Sequence, residues 1–305
     1  MKILQYIQKQ SSVGREKYVI PQNFQKRVTL KEMGRSVDYL DNLFLVHAET
    51  PVILAIHGNP TSSYLWRGIL THSELKYRVI APNLQAGQQE EEVEILEQFL
   101  AALNIQKVVI LAHDWGVTLG MSLMVRKKIS LSGFAFCEGL MFPVKWQQYD
   151  FLPWALCQLG KMPFVGTFLL VNLNFFVRVL LPYGCIYKMH EEDLNYYLHY
   201  YQDHNKRHLI NSWVKSIPTR NSDTHYSSLT KMTSQVLAST IPKLFFYATP
   251  GLAISQKSHE IIVQSSQNLT SINLGKGIHF LPEDYPREMA NSLNTWLKQK
   301  IIGPF

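Results

Sequence analysis

Short apolar runs alternate along the chain with segments whose apolar residues recur at helical spacing. Val52–Ile56, Arg78–Ala81, Val108–Leu111, Leu131–Cys137, Lys243–Ala248 and Leu269–Leu274 read as buried strands. Ser36–Leu40 has the alternation of an earlier strand, and residues 1–30 predict no clear element. Val93–Leu103, Val117–Val125 and Pro286–Lys300 carry the helical period. Strands separated by helices predict a mostly parallel central sheet covered by helices. From about Met141 to residue 221 the pattern is helical throughout, rich in Trp, Phe, Tyr and Leu and broken by Pro and Gly. That stretch predicts a helical lid inserted into one sheet. The expected organisation is therefore a first core part over 1–140, a cap over 141–221 and a second core part over 222–305. No internal repeat is visible.

Within the lid, Phe164–Tyr183 is apolar enough to suggest a membrane span. Asn172, Asn174 and Arg178 interrupt it and Pro182 ends it, so a helix of the inserted lobe is expected, with no membrane partner. A chain of 305 residues that is 46% hydrophobic and 17% charged suffices for one large domain. The formal charge is +7, but Lys and Arg are scattered and the acidic run Glu90–Glu92 lies among them. A nucleic-acid partner would call for clustered charge and is not expected. The three cysteines, Cys137, Cys157 and Cys185, are odd in number and nowhere spaced as CxxC. Neither a disulfide framework nor a zinc site is implied, and reduced thiols fit a cytoplasmic location. The start, MKILQYIQKQSS, lacks the apolar core of a signal peptide. The sequence carries no signal for an oligomeric state.

The candidate chemistry begins at LAHDWGVTLG, residues 111–120, between a predicted strand and a predicted helix. A small residue, His113, Asp114, Trp115 and Gly116 have the layout of a nucleophile elbow, in which a sharp turn lifts the central side chain above the sheet. The usual serine needs a base to strip its proton, whereas an aspartate is already charged at neutral pH. An aspartate that merely caps the next helix fits the elbow equally well. Three further stretches bear on the choice. HGNPTSSYLWR, residues 57–67, follows a strand and can offer the backbone N–H and side-chain amide of Asn59 to an anion. GIHFLPEDYP, residues 277–286, places His279 on a loop after the last strand. CEGL, residues 137–140, puts Glu138 at the end of the strand after the elbow, a candidate partner for the His279 ring.

With these residues assembled, the chain resembles the haloalkane dehalogenases of the α/β-hydrolase superfamily. It most resembles the branch whose catalytic acid follows the sixth strand, which also contains a coelenterazine-type luciferase. The likeness runs from about Gly34 to Lys300, with HGNPTSSYLWR, HDWG and HFxxED as its most specific motifs. It implies an α/β-hydrolase fold with an inserted helical cap. It also implies Asp114 as nucleophile, His279 as base and Glu138 as the acid orienting that base. Asn59 and Trp115 would bind the halide through their side chains and form the oxyanion hole through their backbone N–H groups. Phe176, Pro218 and Leu281 fall where that family lines its pocket, and Trp146 is a further candidate wall. The implied reaction converts a small halogenated alkane to alcohol, halide and proton, with no metal or organic cofactor.

Two features depart from the pattern. The segment after Ile80, APNLQAGQQEEEVEILEQFL, is shorter than the family loop by about a dozen residues or more. TPGLAIS, residues 249–255, resembles a turn that supplies the acid in another branch, but it contains no carboxylate. An epoxide hydrolase would use the lid's tyrosines but leaves Trp115 without a halide. A luciferase-like oxygenase is compatible with each single residue. A non-enzymatic binding protein on this scaffold has no need to keep Asp114, Glu138 and His279 together. An esterase is disfavoured because carboxylate attack on an ester gives an anhydride.

Overall fold

The aliphatic runs pair into one eight-stranded sheet of order β1-β2-β4-β3-β5-β6-β7-β8. The strands are β1 (Gln25–Leu30), β2 (Arg35–Asp41), β3 (Val52–Ile56), β4 (Val79–Pro82), β5 (Lys107–His113), β6 (Ser130–Cys137), β7 (Lys243–Pro250) and β8 (Leu269–Gly277). Only β2 runs against the others. The structure is a computed structural model that describes residues 16–45, 50–144, 151–220 and 222–303. The helices of eight or more residues are α1 (Gln89–Ala102), α2 (Trp115–Arg126), α3 (Phe151–Lys161), α4 (Glu191–Tyr200), α5 (His204–Ser216), α6 (Thr224–Ala238), α7 (Gln256–Ser265) and α8 (Pro286–Leu297).

Along the buried central strands, successive side chains enter opposite layers. Leu54, Ile56, Ile110 and Ala112 join Leu96, Phe99 and Leu119 of α1 and α2 in one layer. Ile53, Ala55, Val109 and Leu111 join Ile69, Leu293 and Trp296 in the other. Both faces are covered, which is why these strands read as unbroken apolar runs.

Register sets the position of the site. Ile56 pairs with Ala112, and His113 pairs with Cys137. The segments leaving β3, β5 and β6 therefore emerge together, carrying Asn59, Asp114 and Glu138. Pro250 pairs with Gly277 at the end of β8, two residues before His279.

Two elements differ from the sequence expectation. Residues 25–30, expected to be featureless, form β1, a short edge strand whose QKRVTL faces water on alternate residues. The stretch Phe164–Tyr183 is not one helix. It breaks into turns over Pro163–Thr167, Phe168–Asn172, Phe176–Leu180 and Leu181–Tyr183, with Asn174 at φ 49° between the middle two. No single helix among the described residues is long and apolar enough to cross a membrane.

A buried polar network ties three of these regions together. Arg67 grips Glu283 through two hydrogen bonds of 2.6 and 2.8 Å, and its guanidinium also reaches Asp193 at 2.9 Å. Tyr64 donates to Asp193 at 2.8 Å, and Tyr197 donates to Glu283 at 2.6 Å. Arg67 and Tyr64 belong to HGNPTSSYLWR, Asp193 and Tyr197 to α4, and Glu283 to the segment carrying His279. All three charged side chains are buried, so their pairing fixes the loop of His279 against both α4 and the loop after β3. Replacing Arg67 by Met would strand two carboxylates away from water, at a cost of about 3–5 kcal/mol. Urea unfolding of Arg67→Met is expected to show that loss. A change below about 1 kcal/mol would mean that the network holds nothing in place.

Candidate active site

Asp114 stands where β5 turns into α2, with φ 53° and ψ −124°. This left-handed conformation is unusual for a residue with a side chain and costs about 1–3 kcal/mol. The close approach of helix and strand behind it demands glycine. A Cβ on Gly116 would lie 2.1 Å from the Ile56 carbonyl oxygen, and one on Gly58 would lie 2.4 Å from Asp114 Oδ2. The Asp114 side chain caps no helix N–H. It turns instead towards the loop after β3, where the Asn59 backbone N–H donates to Oδ2 at 2.8 Å.

His279 lies between the two acids. Its Nε2 is 3.6 Å from Asp114 Oδ1, an ion-pair rather than a hydrogen-bond distance. Its Nδ1 is 3.4 Å from Glu138 Oε2. The same Glu138 oxygen accepts the backbone N–H groups of Leu252 and Ala253, both at 2.8 Å. TPGLAIS thus lacks an acid but supplies the amides that hold one.

Charge follows from this arrangement. Burial alone would push His279 down, but the contacts with Asp114 and Glu138 outweigh it and carry the ring up to about 9. Burial works against the Asp114 anion too, yet His279 and the Asn59 N–H hold its carboxyl below the usual range. Two other histidines sit close by and stay neutral. Burial pushes His57 down to about 4 and His113 down to about 3. His57 Nδ1 donates to the Gly58 carbonyl at 2.9 Å, while Nε2 accepts from the Leu84 N–H at 3.0 Å. His113 Nε2 donates to the His279 carbonyl at 2.9 Å, and the Gly184 carbonyl accepts the His279 N–H at 3.0 Å. The backbone of His279 is held from below by β5 and from above by the lid.

Above this group lies a cavity of about 250 Å³. Its walls are mostly apolar: Trp154 and Leu156 of α3, Leu170, Phe176 and Leu180, then Val214 and Ile217. Asn59, Asp114, Trp115 and His279 form its polar floor. A smaller apolar cavity of about 150 Å³ suffices to hold benzene, so a short alkane fits by volume. Cys157 also lines the wall, but burial pushes its thiol up to about 11, so it offers no competing thiolate.

The sequence-predicted residues fall out as follows. Asp114, Glu138, His279, Asn59 and Trp115 converge. The Asn59 amide is orientated by the lid, with Nδ2 donating to the Ile210 carbonyl at 3.1 Å and its second N–H left for another partner. The Trp115 ring lies 4.6 Å from that of Trp213 in α5. Phe176 lines the cavity. Pro218 and Leu281 are buried outside the lining set: the Pro218 carbonyl accepts the Val144 N–H, and Leu281 packs against Gly277. Trp146 lies outside the described residues. Sequence reasoning passed over His57, His113 and the Leu252–Ala253 amides, though the first two are the opening residues of motifs it used. The short segment after β4, residues 83–88, borders a second cavity of about 230 Å³ beside Asn59, lined by Asn83, Leu84 and Gln85 among others.

Comparison with known proteins agrees with this architecture. Residues 51–155 match a family described as alpha/beta hydrolase fold. A haloalkane dehalogenase of Mesorhizobium japonicum is 29% identical over 291 residues, covering 91% of this chain and 93% of that protein. A haloalkane dehalogenase of Sphingobium indicum is 27% identical over 293 residues, covering 90% of this chain and 96% of that protein. The crystal structure of a DbjA mutant matches with a TM-score of 0.82 at 26% identity, covering 90% of this chain and 97% of that one. The chain is a hydrolase of the α/β-hydrolase fold, and over some nine-tenths of its length it is similar to haloalkane dehalogenases.

Proposed function

We propose that this protein hydrolyses haloalkanes to alcohol, halide and proton through a covalent ester on Asp114. One observation carries the reading: a charged carboxylate on a strained elbow faces an apolar cavity, with an imidazole wedged between it and a second, anchored carboxylate. The Asp114 carboxylate attacks an sp³ carbon and displaces the halide. A large, weakly hydrated halide needs N–H donors and no proton, which the free Asn59 amide N–H and the Trp115 indole supply without adding a competing base. Residues 141–221 act as the cap that excludes water and strengthens these contacts.

Ester formation removes the Asp114 charge. One of the two anions holding the His279 proton is thereby lost, so the ring's pKa falls, its proton passes to solvent, and the imidazole is left neutral and able to accept a proton at the step that needs a base. His279 then takes a proton from water, which attacks the Asp114 carbonyl carbon. The backbone N–H groups of Asn59 and Trp115 receive the oxyanion, which collapses as the bond from the Asp114 carbonyl carbon to the alkoxyl oxygen breaks. That oxygen takes the proton from His279 and leaves as the alcohol, and the Asp114 carboxyl ionises by returning a proton to His279. Glu138, pinned by two amides, keeps the tautomer and orientation of His279 through both steps.

Three outcomes test this scheme. Purified wild type is expected to release halide from 1,2-dibromoethane and 1-iodobutane, and Asp114→Ala is expected to release none. Halide from the alanine variant, or none from a folded wild type, would remove Asp114 from the chemistry. In His279→Ala the first step survives and the second does not. Mass spectrometry should then find one halide released per protein and a chain heavier by the alkyl group. Sustained turnover in that variant would rule out His279 as the base.

The proton on His279 also links stability to pH. Its folded value, about 9, lies above the ordinary 6.5, so it stabilises the fold fully below about pH 6.5. That contribution is lost as pH rises through 9. Melting temperatures measured from neutral to alkaline pH should fall more steeply for wild type than for Asp114→Asn, which lacks the anion. Parallel curves for the two proteins would contradict the assignment.

A further inference from the structure

The chemistry leaves unexplained the outer side of the lid. Between Leu159 and Leu173 every exposed residue is apolar except Asn172. Phe164 is 89% exposed, Phe168 55%, Met162 47% and Leu173 46%, with Leu159 and Val165 beside them. Phe164 and Phe168 are four residues apart on helical backbone and so share a face. Gly166 and Leu170, on the other side, are buried. The end of α3 meets this segment at a 94° bend. Apolar residues exposed in one continuous stretch mark an interaction surface.

Charge indicates the kind of partner. From Phe151 to His190 there is no aspartate or glutamate, while Lys161, Arg178 and Lys188 are present. Lys215 of α5 reaches the same segment, with Nζ 3.4 Å from Thr167 Oγ1. Lys161 is held by the Ile217 carbonyl and Asp223. An apolar face with Lys161 and Lys215 at its edge, in a chain of net charge +7, suits an anionic bilayer surface. A second copy of the chain fits poorly, because a two-fold pairing of this face would bring the same cations together, with almost no exposed hydrogen-bonding groups to offset them. The face is also the outside of the cavity roof: Gly160 and Leu170 line the cavity from within the same turns.

We propose that Leu159–Leu173 docks the protein on an anionic phospholipid bilayer, with Phe164 and Phe168 entering the boundary between headgroups and acyl chains. The bend keeps the segment in the interface plane, so it lies on the membrane and does not span it. Apolar molecules dissolved in the acyl phase would then be concentrated beside the cavity roof.

The test is flotation of the full chain with vesicles of phosphatidylcholine alone or mixed with phosphatidylglycerol. Wild type should float with the mixed vesicles and less with phosphatidylcholine alone. The Phe164→Ser, Phe168→Ser double variant should bind the mixed vesicles at least about tenfold more weakly, as expected for two aromatic side chains removed from an apolar contact. Its melting temperature and halide release in solution should be unchanged, which separates docking from catalysis. No flotation of wild type, or equal flotation of the double variant, would overturn the proposal. A wild-type dimer that dissociates in the double variant, with no flotation, would assign the face to a second copy and overturn it as well. If the double variant fails to fold, Phe164→Trp decides: a blue shift of the added emission on mixed vesicles supports docking, and an unchanged spectrum refutes it.

Discussion

The site depends on a backbone turn that few residues tolerate. Asp114 sits at positive φ because β5, α2 and the loop after β3 crowd together behind it. Relaxing Asp114 to an ordinary helix start would turn its carboxylate towards the N–H groups of α2, where aspartates commonly sit. The crowding forbids that, and the carboxylate faces the cavity instead. Gly116 and Gly58 are therefore part of the electrostatics of the site as much as of its packing. Without them the strand, helix and loop cannot close enough for the Asn59 N–H to reach Asp114 Oδ2.

Given that turn, the charges order themselves. Two carboxylates flank one imidazole in a place with little water. An unpaired buried charge there would be costly, so His279 holds its proton more tightly than in water. The two acids are not equivalent. Glu138 accepts two backbone amides and is almost fully buried, so its position is fixed by the fold. Asp114 keeps 15% of its side-chain surface on the cavity side, so it is the one free to react. This asymmetry orders the proposed steps: the exposed anion is consumed first, and the buried one remains to steady the imidazole. His57 and His113 add no competing charge, because burial keeps both neutral and each spends its ring hydrogen on a carbonyl.

What could be read from the sequence was what each motif carries in its own chain. Six buried strands announced themselves as apolar runs, since a strand covered on both faces has no polar side to confuse the pattern. β1 escaped because an edge strand half open to water reads as mixed sequence. The five convergent site residues were legible because each follows a strand end or lies in a short motif. Their mutual distances were not, since these depend on register between β3, β5 and β6. The Arg67–Glu283–Asp193 network was invisible for the same reason. Its members are 126 and 216 residues from Arg67 in the chain, and nothing in either local sequence points to the other. Pro218 and Leu281 came from resemblance alone, with no local signal in their own sequence to say which way their side chains face.

The lid shows why hydrophobicity in a sequence does not specify a partner. Phe164–Tyr183 reads as one long apolar segment, but the structure divides it at Asn174 and gives its sides different surroundings. Leu170 and Phe176 line the cavity, Val177 and Leu181 are fully buried, and Phe164 and Phe168 face outwards. The inner side must exclude water if the proposed halide donors are to be strong, and in these short broken helices the outer side remains apolar too. An ordinary soluble lid would carry charges there, as α4 does with Glu191 and Glu192. Their absence from Phe151 to His190, beside retained cations, is not required by the cavity. That surplus apolar surface makes the outer face a second working surface of the lid, built into the same turns as the first.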